Sequence, residues 1–229
     1  AEVAATAAGS VGDAAEAVKG AGDTAKEAAT EAAVEIAGPE PPQKKAALRE
    51  MGGLRAIDAS IFLAINHLPR GQVSNDVLET VSNLGRGSGW VAAAAILAVA
   101  GSRAGWRVAA TTTATMLVAT GLTQGPIKTY FLRQRPWAVI AEDIVIGKRT
   151  TDSSFPSGHT AGSFAAGWAM SRCFPDHRPL LLGIAAAVGF SRIYLGHHYP
   201  SDVIGGAVIG SAVGLASGKL SDAIVRKKC

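Results

Sequence analysis

Large apolar side chains are scarce over residues 1–37, where alanine is interspersed with Glu, Asp and Lys, and become dense only beyond residue 53. Gly12–Val18 is loosely echoed by Gly22–Ala28, which suits a fraying helix too poor in large apolar groups to bury a core. With neither a basic start nor a long apolar stretch, this arm does not read as a signal peptide. Gly38-Pro39-Glu40-Pro41-Pro42 ends it as a linker.

Helical periodicity takes over from Leu54. Leu54–Leu68 reads as a short amphipathic helix with Ile57, Ile61, Phe62 and Ile65 on one side. Its modest length and Asp58 argue against a simple membrane span, which needs roughly twenty residues. Ser74-Asn75-Asp76 caps a second helix whose apolar half runs from Trp90 to Ala100. A third, from about 105 to 132, delivers Lys128 near its end. Gly158–Cys173, Leu180–Arg192 and Asp202–Leu220 follow. All are rich in Ala and Gly, as close-packed membrane helices often are. The expected fold is all-α: a bundle of about six helices over residues 53–229, integral to a membrane, preceded by a polar arm and linker over 1–52. Stretches beginning near Trp90, Val108, Thr160, Leu180 and Val203 read as five spans, with the first helix lying in the interface.

Composition sharpens the division. Hydrophobic residues are 48% of the chain and mean hydropathy is +0.23 despite the polar arm. Residues 1–52 hold nine acids and five bases, whereas 53–229 hold nine acids and seventeen bases. The basic part suits anionic headgroups or a lipid surface. Nucleic acid is a poor partner, because no basic face is interleaved with aromatic residues. The two cysteines stand far from any cluster, and the histidines and carboxylates lack zinc-type spacing, so no metal or other cofactor is expected.

Three segments carry the chemistry: Lys128-Thr-Tyr-Phe-Leu-Arg-Gln-Arg135-Pro136, Pro156-Ser157-Gly158-His159, and Ser191-Arg192 followed by His198 and Asp202. Lys128, Arg135 and Arg192 supply three cations, and the planar arginine fork matches phosphate oxygens bidentately. The Ser157 hydroxyl and the Gly158 amide, at an expected helix start, add neutral donors and a favourable dipole. In this order and spacing the segments resemble the K-x6-R-P, P-S-G-H and S-R-x5-H-x3-D signature of the type 2 phosphatidic acid phosphatase superfamily. That superfamily includes lipid phosphate phosphatases, soluble acid phosphatases and vanadium haloperoxidases. The resemblance implies that His198 is the nucleophile of a phosphohistidine intermediate, oriented by Asp202. It also implies that His159 protonates the leaving oxygen and then activates water.

Each residue taken singly has a plainer reading. Lys128 or Arg135 anchors a membrane-helix end, His159 caps a helix, and Asp202 is an acid in a first turn. The joint pattern overrides these readings at all eight positions. His197 stays a spectator, because the spacing lands on His198. Arg133 falls outside the pattern, His67 and His177 read as loop or helix-end residues, and Lys148 and Arg149 as a solvated loop.

The expected substrate is a membrane lipid carrying a terminal phosphate. A prenyl (pyro)phosphate such as undecaprenyl pyrophosphate comes first, ahead of phosphatidylglycerol phosphate and phosphatidic acid. A soluble phosphatase or haloperoxidase on the same scaffold, and an inactive membrane anchor, are the competing classes. Oligomeric state is open. Arg103, Arg107, Arg172, Arg178 and Arg226-Lys227-Lys228 gather at the end opposite the motifs. By the positive-inside rule this places the site on the extracytoplasmic face of a bacterial cell membrane.

Overall fold

The computed structural model describes residues 53–99, 103–140 and 144–225, so the expected arm over 1–52 lies outside it. No strand occurs among the described residues. Seven helices of twelve residues or more follow one another: α1 (Leu54–Asn66), α2 (Gln72–Leu84), α3 (Ser88–Val99), α4 (Arg103–Leu122), α7 (Gly158–Ser171), α8 (Arg178–Tyr194) and α9 (Pro200–Val225). Two short helices, α5 (Lys128–Phe131) and α6 (Pro136–Val139), sit between α4 and α7. The all-helical expectation holds, and so do the positions of the later helices.

Helix α7 is the centre of the bundle. Eleven of its fourteen residues are buried, most of them Gly, Ala, Ser or Thr, so its neighbours α4, α8 and α9 approach closely. Gly210 of α9 shows how closely: a Cβ there would lie 2.2 Å from the Ala161 carbonyl oxygen of α7. Larger apolar groups fill what remains. Trp90, Val108, Met116, Ala166, Met170 and Ala185 form one core between α3, α4, α7 and α8, and Trp90 donates Nε1–H to Ser163 Oγ at 3.1 Å.

Helix α4 runs through a π-turn at Thr123–Ile127 into α5. Pro126 sits inside that turn and has no N–H to continue an α-helical ladder. Leu132 then ends the helix in the left-handed conformation (φ 45°, ψ 33°). A leucine there costs on the order of 1–2 kcal/mol, and the turn redirects the chain so that Arg133 and Arg135 run back towards Lys128.

Two expectations need correction. The single helix placed between Ser74 and Ala100 is two, α2 and α3, broken at Gly85–Gly87, where Gly87 has φ 96°. A Cβ on Gly85 would lie 2.4 Å from Val188 Cγ1 and 3.2 Å from His159 Cβ, so the break lets the turn press against α7 and α8. Ser74 is not the N-cap either: Gly71 is, and Ser74 Oγ reaches back to its N–H at 2.9 Å.

The buried face of α1 also differs. It is Asp58, Ala59, Phe62 and Asn66, while Ile57 and Ile61 point outward. Polar groups win because each finds fixed partners. Asn66 donates from Nδ2 to the Ile144 and Tyr194 carbonyls (2.8 and 2.9 Å) and accepts from the Ile144 N–H at 2.7 Å.

One described helix is long and apolar enough to cross a membrane, α9 over Pro200–Gly218, with mean hydropathy 1.3. Only 28% of its apolar window is buried within the protein. The other four stretches expected to span fall short by length or polarity: α3 is twelve residues, α7 fourteen and α8 seventeen, while α4 carries Arg103, Arg107 and a run of threonines.

Candidate active site

Five segments converge at one end of α7. The π-turn and α5 bring Lys128, the turn after Leu132 brings Arg133 and Arg135, and the loop before Pro156 brings Asp152 and Ser154. Helix α7 brings Ser157, Gly158 and His159. The end of α8, the loop after it and the start of α9 bring Arg192, His198 and Asp202. Gly196 makes that last connection possible: with φ 82° and a Cβ position 2.4 Å from the Ile144 oxygen, it admits no side chain.

Lys128 and Arg135 are both buried and both pair with Asp152, the Arg135 Nη2–Oδ1 distance being 2.8 Å. Arg135 also donates from Nε to the Asp152 carbonyl (3.0 Å) and from Nη1 to the His197 carbonyl (2.8 Å). Arg192, buried opposite, donates to Ser82 Oγ at 2.6 Å, and its Nε has no hydrogen-bond partner among the described residues. Burial works to raise the Asp152 pKa. The Lys128 hydrogen bond and the Arg135 charge outweigh it and hold the carboxyl well below its usual range. A cleft of about 180 Å³ opens beside Arg133, Arg135, Trp137 and Asp152. His159 lies deeper.

His198 is buried between opposite charges. Its Nδ1 lies 3.6 Å from Asp202 Oδ2, and its Nε2 lies 3.5 Å from Arg135 Nη1. Burial first, then Arg135, Arg192 and Lys128, drives its pKa well below the ordinary histidine value. The ring is therefore neutral at pH 7, with a lone pair available on one nitrogen. His159 Nε2 is buried with no hydrogen-bond partner among the described residues. Ser157 caps α7, its Oγ accepting from Thr160 N–H and Oγ1–H (3.4 and 2.9 Å), which leaves the Ser157 proton for another acceptor.

All eight residues singled out from the sequence gather at this site. Its remaining members were not foreseen. Arg133 donates to Asp202 Oδ1 at 2.6 Å, and Ser154 Oγ and the Tyr199 N–H donate to Asp202 Oδ2 at 2.5 and 2.8 Å. Asp58, which had read only as an obstacle to membrane crossing, accepts from Arg133, Ser201 Oγ and the Ser201 N–H. The R-x-R spacing was the one sequence signal for Arg133, because alternate residues of an extended segment share a side. His197 is structural: its ring Nε2 lies 2.8 Å from the Ile146 oxygen, as an N–H donor to it, and its own carbonyl receives Arg135.

Burial, chiefly, then the Arg192 charge, lowers the His197 pKa to about 3, so the native state takes up that proton less readily than the unfolded chain. Stability from this group is therefore complete above the unfolded value near 6.5 and is lost as pH falls from there towards 3. His198 acts in the same sense. Stability is expected to fall from pH 7 to pH 4 by up to about 1.4 kcal/mol per pH unit for each histidine, read as a steep drop in the thermal midpoint. The fall should be shallower for His197→Gln.

A helical bundle with three buried cations, His159 and the buried His198 gathered around one helix start is the frame of a phosphoryl-transfer site. The chain belongs to the PAP2 superfamily, whose family model matches residues 109–225. Over 74 residues it is 42% identical to the undecaprenyl-diphosphatase BcrC of Bacillus subtilis, a match covering 31% of this chain and 37% of that one. The chain thus spans little more than a third of that relative's length. Among solved structures it is similar to LpxE of Aquifex aeolicus, with a TM-score of 0.61, 26% identity, and coverage of 70% and 93% of the two chains. The transmembrane PAP2-type phosphatidylglycerolphosphate phosphatase of Bacillus subtilis shares the fold at a TM-score of 0.58 and 21% identity, covering 81% and 95%.

Proposed function

We propose that this protein is a membrane lipid phosphate phosphatase that removes the terminal phosphate of a prenyl diphosphate, of which undecaprenyl pyrophosphate is the first candidate. The observation that carries this reading is the setting of His198, with an acid on its Nδ1 side and the Lys128–Arg135–Arg192 cradle on its Nε2 side. His198 Nε2 attacks the terminal phosphorus as the bond to the leaving oxygen breaks. The electron pair goes to that oxygen, and His159, charged once the anionic substrate offsets the burial and the Arg192 charge that lower its pKa, gives it a proton and becomes neutral. Water then gives a proton to His159 and attacks phosphorus, the P–N bond breaks, and its electrons return to Nε2 as inorganic phosphate leaves. Asp202 Oδ2, 3.6 Å from Nδ1, faces the Nδ1–H and stabilises the positive charge that builds on the ring. The cations, Ser157 and the Gly158 amide stabilise the charge on the transferring group. No metal takes part, so EDTA leaves the rate unchanged.

The choice of a prenyl diphosphate rests on the similarity to BcrC. The membrane location rests on the outward apolar residues: Ile204, Val208 and Leu215 on α9, Leu117 and Val118 on α4, and Ile96 on α3 are all exposed. A soluble protein seldom leaves so much apolar surface uncovered. Phosphate release from reconstituted protein tests the substrate. Prenyl diphosphate should be turned over faster than phosphatidylglycerol phosphate or phosphatidic acid, and equal rates on all three would remove the preference. Recovery of the protein from the soluble fraction of cells would sink the membrane location.

The site faces the extracytoplasmic side, and α1 rests in the interface. At thirteen residues α1 is about 20 Å long, short of the roughly 30 Å hydrocarbon core. Single cysteines placed at Ala28 and Lys148, with Cys173 and Cys229 replaced, are both expected to react with an impermeant reagent in intact cells. Reaction at 148 alone would mean that α1 spans.

A further inference from the structure

Arg133 sits between two carboxylates from distant parts of the chain. Its Nη1 donates to Asp202 Oδ1 and Ser201 Oγ, both at 2.6 Å, and its Nη2 donates to Asp58 Oδ2 at 2.6 Å. The guanidinium carbon lies 4.2 Å over the Tyr199 ring. Asp58 is itself fixed by the Ser201 N–H at 2.9 Å and Ser201 Oγ–H at 2.5 Å. Both Nη atoms of Arg133 are thus engaged by Asp202, Ser201 and Asp58.

We propose that Asp58 and Arg133 are positioning residues: α1 holds Arg133 through Asp58, and Arg133 holds Asp202 in the orientation that presents His198 for attack. This rests on the phosphohistidine reading above and extends it to a helix that lies outside the family-matched residues 109–225. The geometry explains why the arrangement needs both acids. Asp202 has no exposed side-chain surface. A carboxylate buried so fully keeps its charge only beside a cation, which Arg133 supplies. Asp58 holds that cation from the other side, so Asp202 stays charged and fixed in orientation towards the imidazole. The same links tie the start of α9 to α1.

A positioning chain has a signature that neither substrate contact nor simple structural support shares. The substitutions should lower kcat and leave KM within about threefold, because the phosphate cradle is untouched. Asp58→Asn should lower kcat about tenfold and Arg133→Met about a hundredfold. Asp58→Asn combined with Arg133→Met should be no worse than Arg133→Met alone, because asparagine keeps an oxygen for the Ser201 donors and loses only the charge that holds Arg133. Arg133→Lys keeps the charge and should fall between wild type and Arg133→Met, which also covers the case in which Arg133→Met folds poorly.

Steady-state kinetics on reconstituted full-length protein with a prenyl diphosphate provide the test, each rate normalised to folded protein. A rise in KM at unchanged kcat would overturn the proposal, since Arg133 borders the cleft and would then be holding substrate. Multiplicative losses in the double variant would overturn the chain of action. A lowered melting temperature with undiminished kcat would reduce both residues to structural support. If His198→Ala were as active as wild type, the phosphohistidine reading and this inference would fail together. A dead His198→Ala beside fully active Asp58→Asn and Arg133→Met would defeat the inference alone.

Discussion

His198→Ala is expected to abolish turnover, with kcat falling by on the order of 10⁴-fold or more, while the bundle stays folded. Covalent catalysis fails outright without the attacking nitrogen, and no neighbouring group can replace it. His197, one residue away, is turned to the Ile146 carbonyl and engaged there through its ring Nε2. His197→Ala should therefore keep most of its activity while losing about 1 kcal/mol of stability from the unpaired carbonyl. Activity assays and thermal unfolding on the same two preparations check both halves. A dead His197→Ala beside an active His198→Ala would shift the register of the third motif by one residue and undo the mechanism.

The second large effect belongs to Arg135. This side chain holds Asp152 with one arm and the His197 carbonyl with another, and it lies beside His198 Nε2, where phosphorus must arrive. Lysine keeps the charge but loses the fork, so it cannot satisfy these partners and two phosphate oxygens together. Arg135→Lys is expected to lower kcat by roughly 10²–10³-fold, the usual effect of losing one donor to transition-state charge. Orthovanadate, whose oxygens imitate a transferring phosphoryl group, should inhibit wild type competitively and bind the variant more weakly by a similar factor. The parallel loss separates transition-state stabilisation from ordinary substrate binding. An Arg135→Lys enzyme with unchanged vanadate affinity would remove Arg135 from the cradle.

The residues of the candidate site were legible because phosphoryl chemistry constrains residue type and spacing together. Three cations, a small-residue helix start and two histidines are conspicuous even before folding. The central helices were legible too, since Gly158–Ser171 and Pro200–Val225 have continuous small or apolar runs. What the sequence hid was pairing over distance. Nothing local distinguishes Asp58 from a solvated acid until Ser201, 143 residues later, folds against it. Arg133 likewise looked like a spare charge beside Arg135.

Helix α1 misled for a related reason. Its isoleucines formed the most obvious apolar stripe, yet Asp58 and Asn66 point inward because their partners are backbone and charged groups. If the bundle meets lipid as proposed, an apolar stripe marks the outside as readily as the core. The break between α2 and α3 was masked by glycines that read equally well as small packing residues in a continuous helix. Contact with Val188 and His159 makes Gly85 the point at which the chain turns.

The covalent intermediate at His198 is the claim on which the rest depends, and trapping it is the most direct measurement. Reconstituted protein mixed with prenyl diphosphate labelled in its terminal phosphate, then quenched in alkali within milliseconds, should carry acid-labile, alkali-stable label on His198. The label should accumulate further in His159→Ala if any attack survives there, since the second step would lack its base, and it should be absent from His198→Ala. Wild type that releases labelled phosphate rapidly yet never carries label on His198 under these conditions, with His198→Ala releasing it equally fast, would contradict the account.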